Sequence, residues 1–170
     1  MASTSYNQSA ISSTATSLHT LWDVFLSFRG KDTRYTFTDH LYKALQRSGI
    51  RTFRDDPELS SGEVISRALP KAIQESKAYI VVLSENFATS SWCLEELVEI
   101  LTCYKRMKSL VVPVFYNIDP SAVRYQIESF RESFEKHQTR HDAEKVNEWC
   151  LTLNEVADIS GYHISENTQV

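Results

Sequence analysis

Four short runs rich in β-branched and aromatic residues constrain what this chain can fold into: Trp22–Phe28, Ile50–Phe53, Tyr79–Ser84 and Leu110–Tyr116. Three of them are apolar almost without interruption. A strand of that kind must be covered on both faces, as in a parallel sheet flanked by helices. The intervening stretches, about 35–48, 63–76, 91–107, 127–138 and 142–159, mostly carry apolar residues at helical i, i+3, i+4 spacing. Strands separated by single helices imply right-handed crossovers and a doubly wound sheet, whose ligand crevice lies beyond the carboxyl ends of the strands. That rule points to the loops starting at Arg29, Arg54, Glu85 and Asn117. Pro113 cannot donate a ladder hydrogen bond, so its strand is expected toward an edge or with a bulge. Gly161 is placed to end the last long helix, and Tyr162–Ile164 to form a fifth strand. Ser165–Thr168 reads as the polar start of a further helix that does not follow, so the sheet's final cover is expected to be missing.

A length of 170 residues suits one domain. We place it at 21–164, between an arm at 1–20 and a polar tail at 165–170. The arm is rich in Ser, Thr and Ala and contains no Lys, Arg, Asp or Glu, a composition expected to be disordered. A chloroplast transit peptide is the alternative, weakened by the missing arginines. The net charge of -4 lacks the basic excess of non-specific nucleic-acid binders, so a nucleic-acid partner is unsupported by charge. No apolar run approaches the roughly 20 residues of a membrane helix, and no secretory signal is present. A cytoplasmic location, with the nucleus as an alternative, is expected. Cys93, Cys103 and Cys150 form no CxxC pair and read as buried thiols. His137 and His141 have i, i+4 spacing without the Glu of a zinc-protease motif, and read as surface histidines; no metal site is expected.

Three segments carry chemistry. Arg29-Gly-Lys-Asp-Thr-Arg34 sets two guanidinium groups, a flexible glycine and a hydroxyl after a buried strand, with a helix N-terminus following. This suits an anionic, phosphate-bearing ligand, against the plainer reading of a solvated loop. Arg54–Gly62 has the composition of an exposed connection, a lid or a docking surface. Ser90-Ser-Trp-Cys-Leu-Glu-Glu-Leu97 is the most informative: hydroxyls at a helix start, an aromatic in the first turn, then paired carboxylates. On a helical wheel Leu94, Leu97, Val98 and Leu101 form the buried stripe, and Glu95 and Glu99 face the other way. Glu96 lies between these zones beside Cys93 and Ile100, where partial desolvation can hold a carboxylate near a ligand; the plainer reading is a solvated pair. One carboxylate suffices for cleaving a cationic N-glycosidic bond, whose base leaves neutral and needs no acid. Its task is to stabilise an oxocarbenium-like ribose.

The runs Asp23–Arg34, Gly49–Asp56, Ser91–Leu97 and Pro113–Arg124 resemble the ordered motifs of plant Toll/interleukin receptor (TIR) domains. Trp149 and Ser160–His163 extend the resemblance to Ile164. It implies a flavodoxin-like α/β fold with a five-stranded parallel sheet in the order 2-1-3-4-5, flanked by helices. It also implies the N-terminal position in an intracellular immune receptor with nucleotide-binding and leucine-rich-repeat regions, so the chain is either an excised domain or a short natural form. Such domains self-associate and hydrolyse NAD⁺ or NADP⁺, as substrate rather than cofactor, to nicotinamide and ADP-ribose-type products that feed defence and cell death. Some act on nucleic acids. Carried over by position, the catalytic glutamate falls on Glu96, and Trp92 matches the base-stacking ring. Arg29, Gly30 and Arg34 match residues lining the nucleotide, and Ser90 a pocket hydroxyl. Asp39 and His40 fall at the self-association pair of the first helix, with other TIR domains and further copies of this chain as partners.

Asp39 replaces a common serine and adds a charge to that contact. Lys31 replaces a common acid, Ser61 a common arginine and Glu128 a common glycine. The missing last helix is expected to weaken self-association and stability. Two alternatives stand beside the enzyme: an interaction module that recruits partners without turnover, and a flavodoxin-like redox protein. The second lacks a Ser/Thr/Gly-rich cradle for flavin phosphate after the first strand.

Overall fold

The four runs and the expected fifth segment, Tyr162–Ile164, form strands, and all pair in parallel, in the order β2-β1-β3-β4-β5. The computed structural model describes residues 20–54 and 69–166. The expected arm, the loop from residue 55 onward, the first part of the helix expected at 63–76 and the end of the tail lie outside the described residues. The strands are β1 (Trp22–Phe28), β2 (Thr52–Arg54), β3 (Ser76–Leu83), β4 (Leu110–Tyr116) and β5 (Tyr162–Ile164). Six register pairs, from Trp22 with Ser76 to Phe28 with Val82, join β1 to β3 and bring their carboxyl ends level.

Alternation along the strands divides the core. Phe25, Tyr79, Val81, Leu83, Val111 and Phe115 face one side with the helices that cover it: α3, described over 69–74, α4 (Ser91–Met107), α5 (Pro120–Tyr125), α6 (Ser129–Gln138) and α7 (Ala143–Asp158). Leu26, Phe28 and Val82 face the other side, against Phe37, Leu41 and Tyr42 of α2 (Phe37–Arg47). Among the described residues α2 is the long helix packed on that second face, where Ile80 and Tyr116 remain partly exposed. A four-residue helix, α1 (Gly30–Thr33), precedes α2.

The differences from expectation have local causes. β3 begins three residues before Tyr79, because the Ser76 hydroxyl donates to the Ala72 carbonyl at 2.7 Å and ends α3 there. α5 is too short to show a period; Asp119 caps it by accepting from the Ser121 amide at 2.8 Å, with Pro120 at its first position. Pro113 causes no bulge, and its strand does lie toward an edge, as expected, second from the end of the sheet. β4 runs unbroken beside β3, and β5 pairs only from Val114 onward, so the proline lies where one side of β4 has no neighbouring strand. Gly161 does not cap α7, which ends at Asp158. It is required by close approach, since a Cβ there would stand 2.1 Å from the Pro113 carbonyl oxygen. Gly49 is the capping glycine, at φ +75°; its amide and that of Ile50 donate to Gln46 and Leu45 to close α2.

Asp23, on the interior strand β1, ties both neighbours. Its carboxylate accepts from the Arg51 amide and guanidinium at 3.0–3.2 Å beside β2, and from Lys77 Nζ of β3 at 2.9 Å. The Arg51 and Lys77 hydrogen bonds hold this carboxyl well below its ordinary value of 3.8. A lowered folded-state pKa contributes stability above 3.8 that is lost as pH falls below it. Asp23→Asn is therefore expected to lower stability at neutral pH and to flatten the loss of stability below pH 3.8, read by denaturant unfolding from pH 7 to 2.

Glu128 sits at φ +55°, ψ -131°, backbone that only glycine adopts without strain, and its side chain makes no cap bond for α6. Relief of strain outweighs the added unfolded-state freedom of glycine, so Glu128→Gly is expected to stabilise by about 1 kcal/mol. A higher urea midpoint at unchanged slope is the observation to seek.

Candidate active site

The carboxyl ends of β1 and β3 present the two segments singled out by sequence. Arg29 caps α1 at the end of β1, and its buried Nε has no partner among the described residues. Arg34 is buried, with its guanidinium 5.6 Å from the centre of the Phe28 ring. A Cβ on Gly30 would stand 2.6 Å from Arg34 Nη2. A side chain at Gly30 would thus displace that guanidinium. The favourable dipole expected from the following helix is small, because α1 has four residues and α2 starts only at Phe37.

A single turn of 3₁₀ helix, Phe87–Thr89, leads from β3 to α4. Ser90 caps α4, its Oγ accepting from the Cys93 amide at 3.2 Å. That bond uses an oxygen lone pair and leaves the hydroxyl proton free to donate to a ligand. Trp92, in the first turn, is 43% exposed, an uncommon state for so large a ring. Cys93 Sγ lies 3.8 Å from the Phe28 carbonyl, so the start of α4 rests on the end of β1. One turn on, the paired carboxylates part company. Glu95 points outward and forms an ion pair with Lys145 of α7 at 2.9 Å. Glu96 is buried, at 6% exposure, on the flank that also buries Cys93 and Ile100. The helical wheel placed it at a border; the structure puts it inside.

Arg29, Gly30, Arg34, Ser90, Trp92 and Glu96 therefore belong to two segments that meet at the carboxyl ends of β1 and β3. Asp39 and His40 are elsewhere, on α2 across the sheet. His40 is exposed, and the extra charge of Asp39 is compensated by Lys43 at 2.7 Å and Arg54 at 3.2 Å, with Arg54 stacked on Tyr42 at 4.4 Å. A groove of about 680 Å³ between α4 and α7, lined by Val98, Leu101, Lys105, Lys145 and Leu151 among others, holds none of the six site residues.

Sequence reasoning missed the residues that hold the site together. Asp32 accepts from Ser84 Oγ at 2.5 Å and from the Asn86 amide and side chain at 3.0 and 3.2 Å. On the other side, Ser129 donates to the Glu85 carbonyl at 3.0 Å, and His137 Nε2 to the Ala88 carbonyl at 2.7 Å. Reading His137 as a surface residue was wrong. It is buried among His141, Phe134 and Trp149, with ring centroids 5.0–5.9 Å away, because α6 packs on the turn at Phe87–Thr89. Among the described residues no cluster of His, Cys, Asp and Glu suits a metal ion, and no helix is long and apolar enough to cross a membrane. Cys93 and Cys103 are buried and Cys150 partly so, none of the three in a disulfide; burial pushes the Cys103 and Cys150 thiols up.

The sequence pattern of the TIR domain family matches residues 21–170. TMV resistance protein N of Nicotiana glutinosa is 52% identical over 153 residues, 89% of this chain and 13% of that protein. Disease resistance protein RPV1 of Vitis rotundifolia is 50% identical over 98% of this chain and 12% of its own length. This chain thus spans about an eighth of those relatives. Among solved structures, the TIR domains of the activated Roq1 resistosome, which directly recognizes the pathogen effector XopQ, superpose with a TM-score of 0.79 at 50% identity, covering 86% of this chain and 89% of that one.

Removing the His137 ring leaves the Ala88 carbonyl without its donor and a void beside Trp149. His137→Ala is expected to cost about 3 kcal/mol in urea unfolding, whereas Glu95→Ala, which cuts an exposed ion pair, costs under about 1 kcal/mol.

Proposed function

The chain belongs to the TIR domain family, and from that premise we propose that it is the self-associating TIR domain of a plant immune receptor and that it cleaves NAD⁺, or NADP⁺, to nicotinamide and ADP-ribose-type products that promote defence. The observation that carries this reading is the burial of Glu96 beside an exposed Trp92, one turn from the arginine-bearing end of β1. Trp92 offers a face on which a nucleotide base stacks. Arg29 and Arg34 supply charge for the pyrophosphate, and Ser90 a hydroxyl donor. Nicotinamide departs as a neutral base from a cationic bond, so bond breaking needs no proton donor. Positive charge develops on the ribose, and the Glu96 carboxylate, shielded from water, stabilises it more strongly than a solvated carboxylate would. Water then adds at the anomeric carbon and loses its proton. NAD⁺ is the substrate in this scheme, and no cofactor takes part.

Assembly follows the same line. The resemblance to the TIR domains of an assembled resistosome supports contact between copies of this chain, for which Asp39 and His40 on α2 are the proposed residues. The cytoplasm, with the nucleus as an alternative, is the proposed site of action.

Nicotinamide release from NAD⁺ across a protein concentration series tests the proposal. Release is expected to rise faster than linearly with protein, to fall about a hundredfold or more in Glu96→Gln, and to persist in Glu95→Ala. Folded wild-type protein that releases nothing at any concentration would favour the alternative, a TIR-TIR interaction module that recruits signalling partners without turnover.

A further inference from the structure

We propose that Asp32 is a positioning residue that locks the arginine-bearing segment 29–34 to the segment leading into α4, and so holds Arg29 and Arg34 in register with Trp92 and Glu96. This inference rests on the nucleotide-cleaving reading above and adds a residue to it.

The argument starts from what holds each segment. Inside 29–34, α1 offers only single-turn hydrogen bonds: the Asp32 and Thr33 amides to Arg29 and the Arg34 amide to Gly30, at 3.0–3.3 Å. Such a turn does not fix its own orientation on the sheet. The Thr33 and Thr38 hydroxyls, 2.7 Å apart, tie it toward α2 on the far face. Toward the site, Asp32 makes a further polar side-chain connection. Both its oxygens are used: Oδ2 accepts from the buried Ser84 hydroxyl and the Asn86 amide, Oδ1 from the Asn86 side chain. These partners lie 52 and 54 residues away in sequence, at the end of β3. From Asn86 onward the chain is continuous hydrogen-bonded structure, the 3₁₀ turn and then α4 capped by Ser90, so whatever is fixed to Asn86 is fixed to Trp92 and Glu96.

The clamp is asymmetric. Residues 85–88 keep Ser129 and His137 of the α6 side as independent anchors. Loss of the carboxylate therefore loosens 30–36 more than 85–90. Because Asp32 acts through the arginines, its loss weakens ground-state and transition-state binding alike, which raises KM and leaves kcat near its original value. An asparagine can keep the clamp: its oxygen replaces Oδ2, and its amide donates to Asn86 once the Asn86 amide turns over.

The test compares Asp32→Ala, Asp32→Asn and Asn86→Ala with the wild type, by peptide-level amide exchange and by NAD⁺ kinetics, each variant first checked for a cooperative unfolding transition. In Asp32→Ala, exchange over 30–36 is expected to rise about tenfold, more than over 85–90, and KM to rise about tenfold with kcat within about threefold. Asp32→Asn should restore both, and Asn86→Ala should show a weaker form of the alanine effect. Unchanged exchange over 30–36 overturns the clamp whatever the kinetics do. A collapse of kcat in both alanine and asparagine variants at unchanged KM overturns it in favour of a direct role for the charge. If wild-type protein releases no nicotinamide, the nucleotide-cleaving reading fails by itself, and the exchange comparison still decides the clamp.

Discussion

Parallel pairing of β1 with β3 is the constraint on which the rest depends. Each strand is buried on both faces, so neither can slip by one residue without turning a row of side chains from one helical layer to the other. Fixed register brings Phe28 level with Val82, and the segments that follow those strands then lie within hydrogen-bond reach although more than fifty residues separate them. Asp32 spans the gap with both of its carboxylate oxygens.

The second determinant is the rotation of α4. A helix turns about 100° per residue, enough to send adjacent glutamates into opposite environments. Glu95 is turned to solvent and meets Lys145, while Glu96 is turned inward behind Trp92. Ser90 sets that rotation by capping the helix, and the contact of Cys93 with the end of β1 anchors it. The same chemical group at neighbouring positions thus occupies two environments, one exposed and ion-paired, the other buried, with the difference supplied by packing.

Strand positions, the crossover pattern and the two site segments were legible in the sequence because each rests on local composition: double-sided apolar runs, a capping serine, a Trp beside a pair of acids. Matters depending on partners distant in sequence were not. Asp32 looks like any charged loop residue until β3 is placed next to β1, and His137 looks solvated until α6 is seen to cover Ala88. Gly161 was read from the commonest use of glycine, the helix cap, whereas its cause is the approach of Pro113 from another strand. Glu128 is the instructive intermediate. Its departure from a glycine pattern was visible in the sequence, and the positive φ supplies the reason a glycine suits that turn.

The interior place of β1 in the sheet, between β2 and β3, also bears on how the protein is made. Synthesis delivers Trp22–Phe28 before either of its neighbours, β2 on one edge and β3 on the other, and β3 is complete only at Leu83. Until then a nascent chain carries an apolar strand with at least one edge open, the condition under which strands of separate chains pair with one another. Contacts of such long sequence separation also slow folding. The arrangement that brings the site segments together therefore makes the youngest chain dependent on protection until its third strand has emerged.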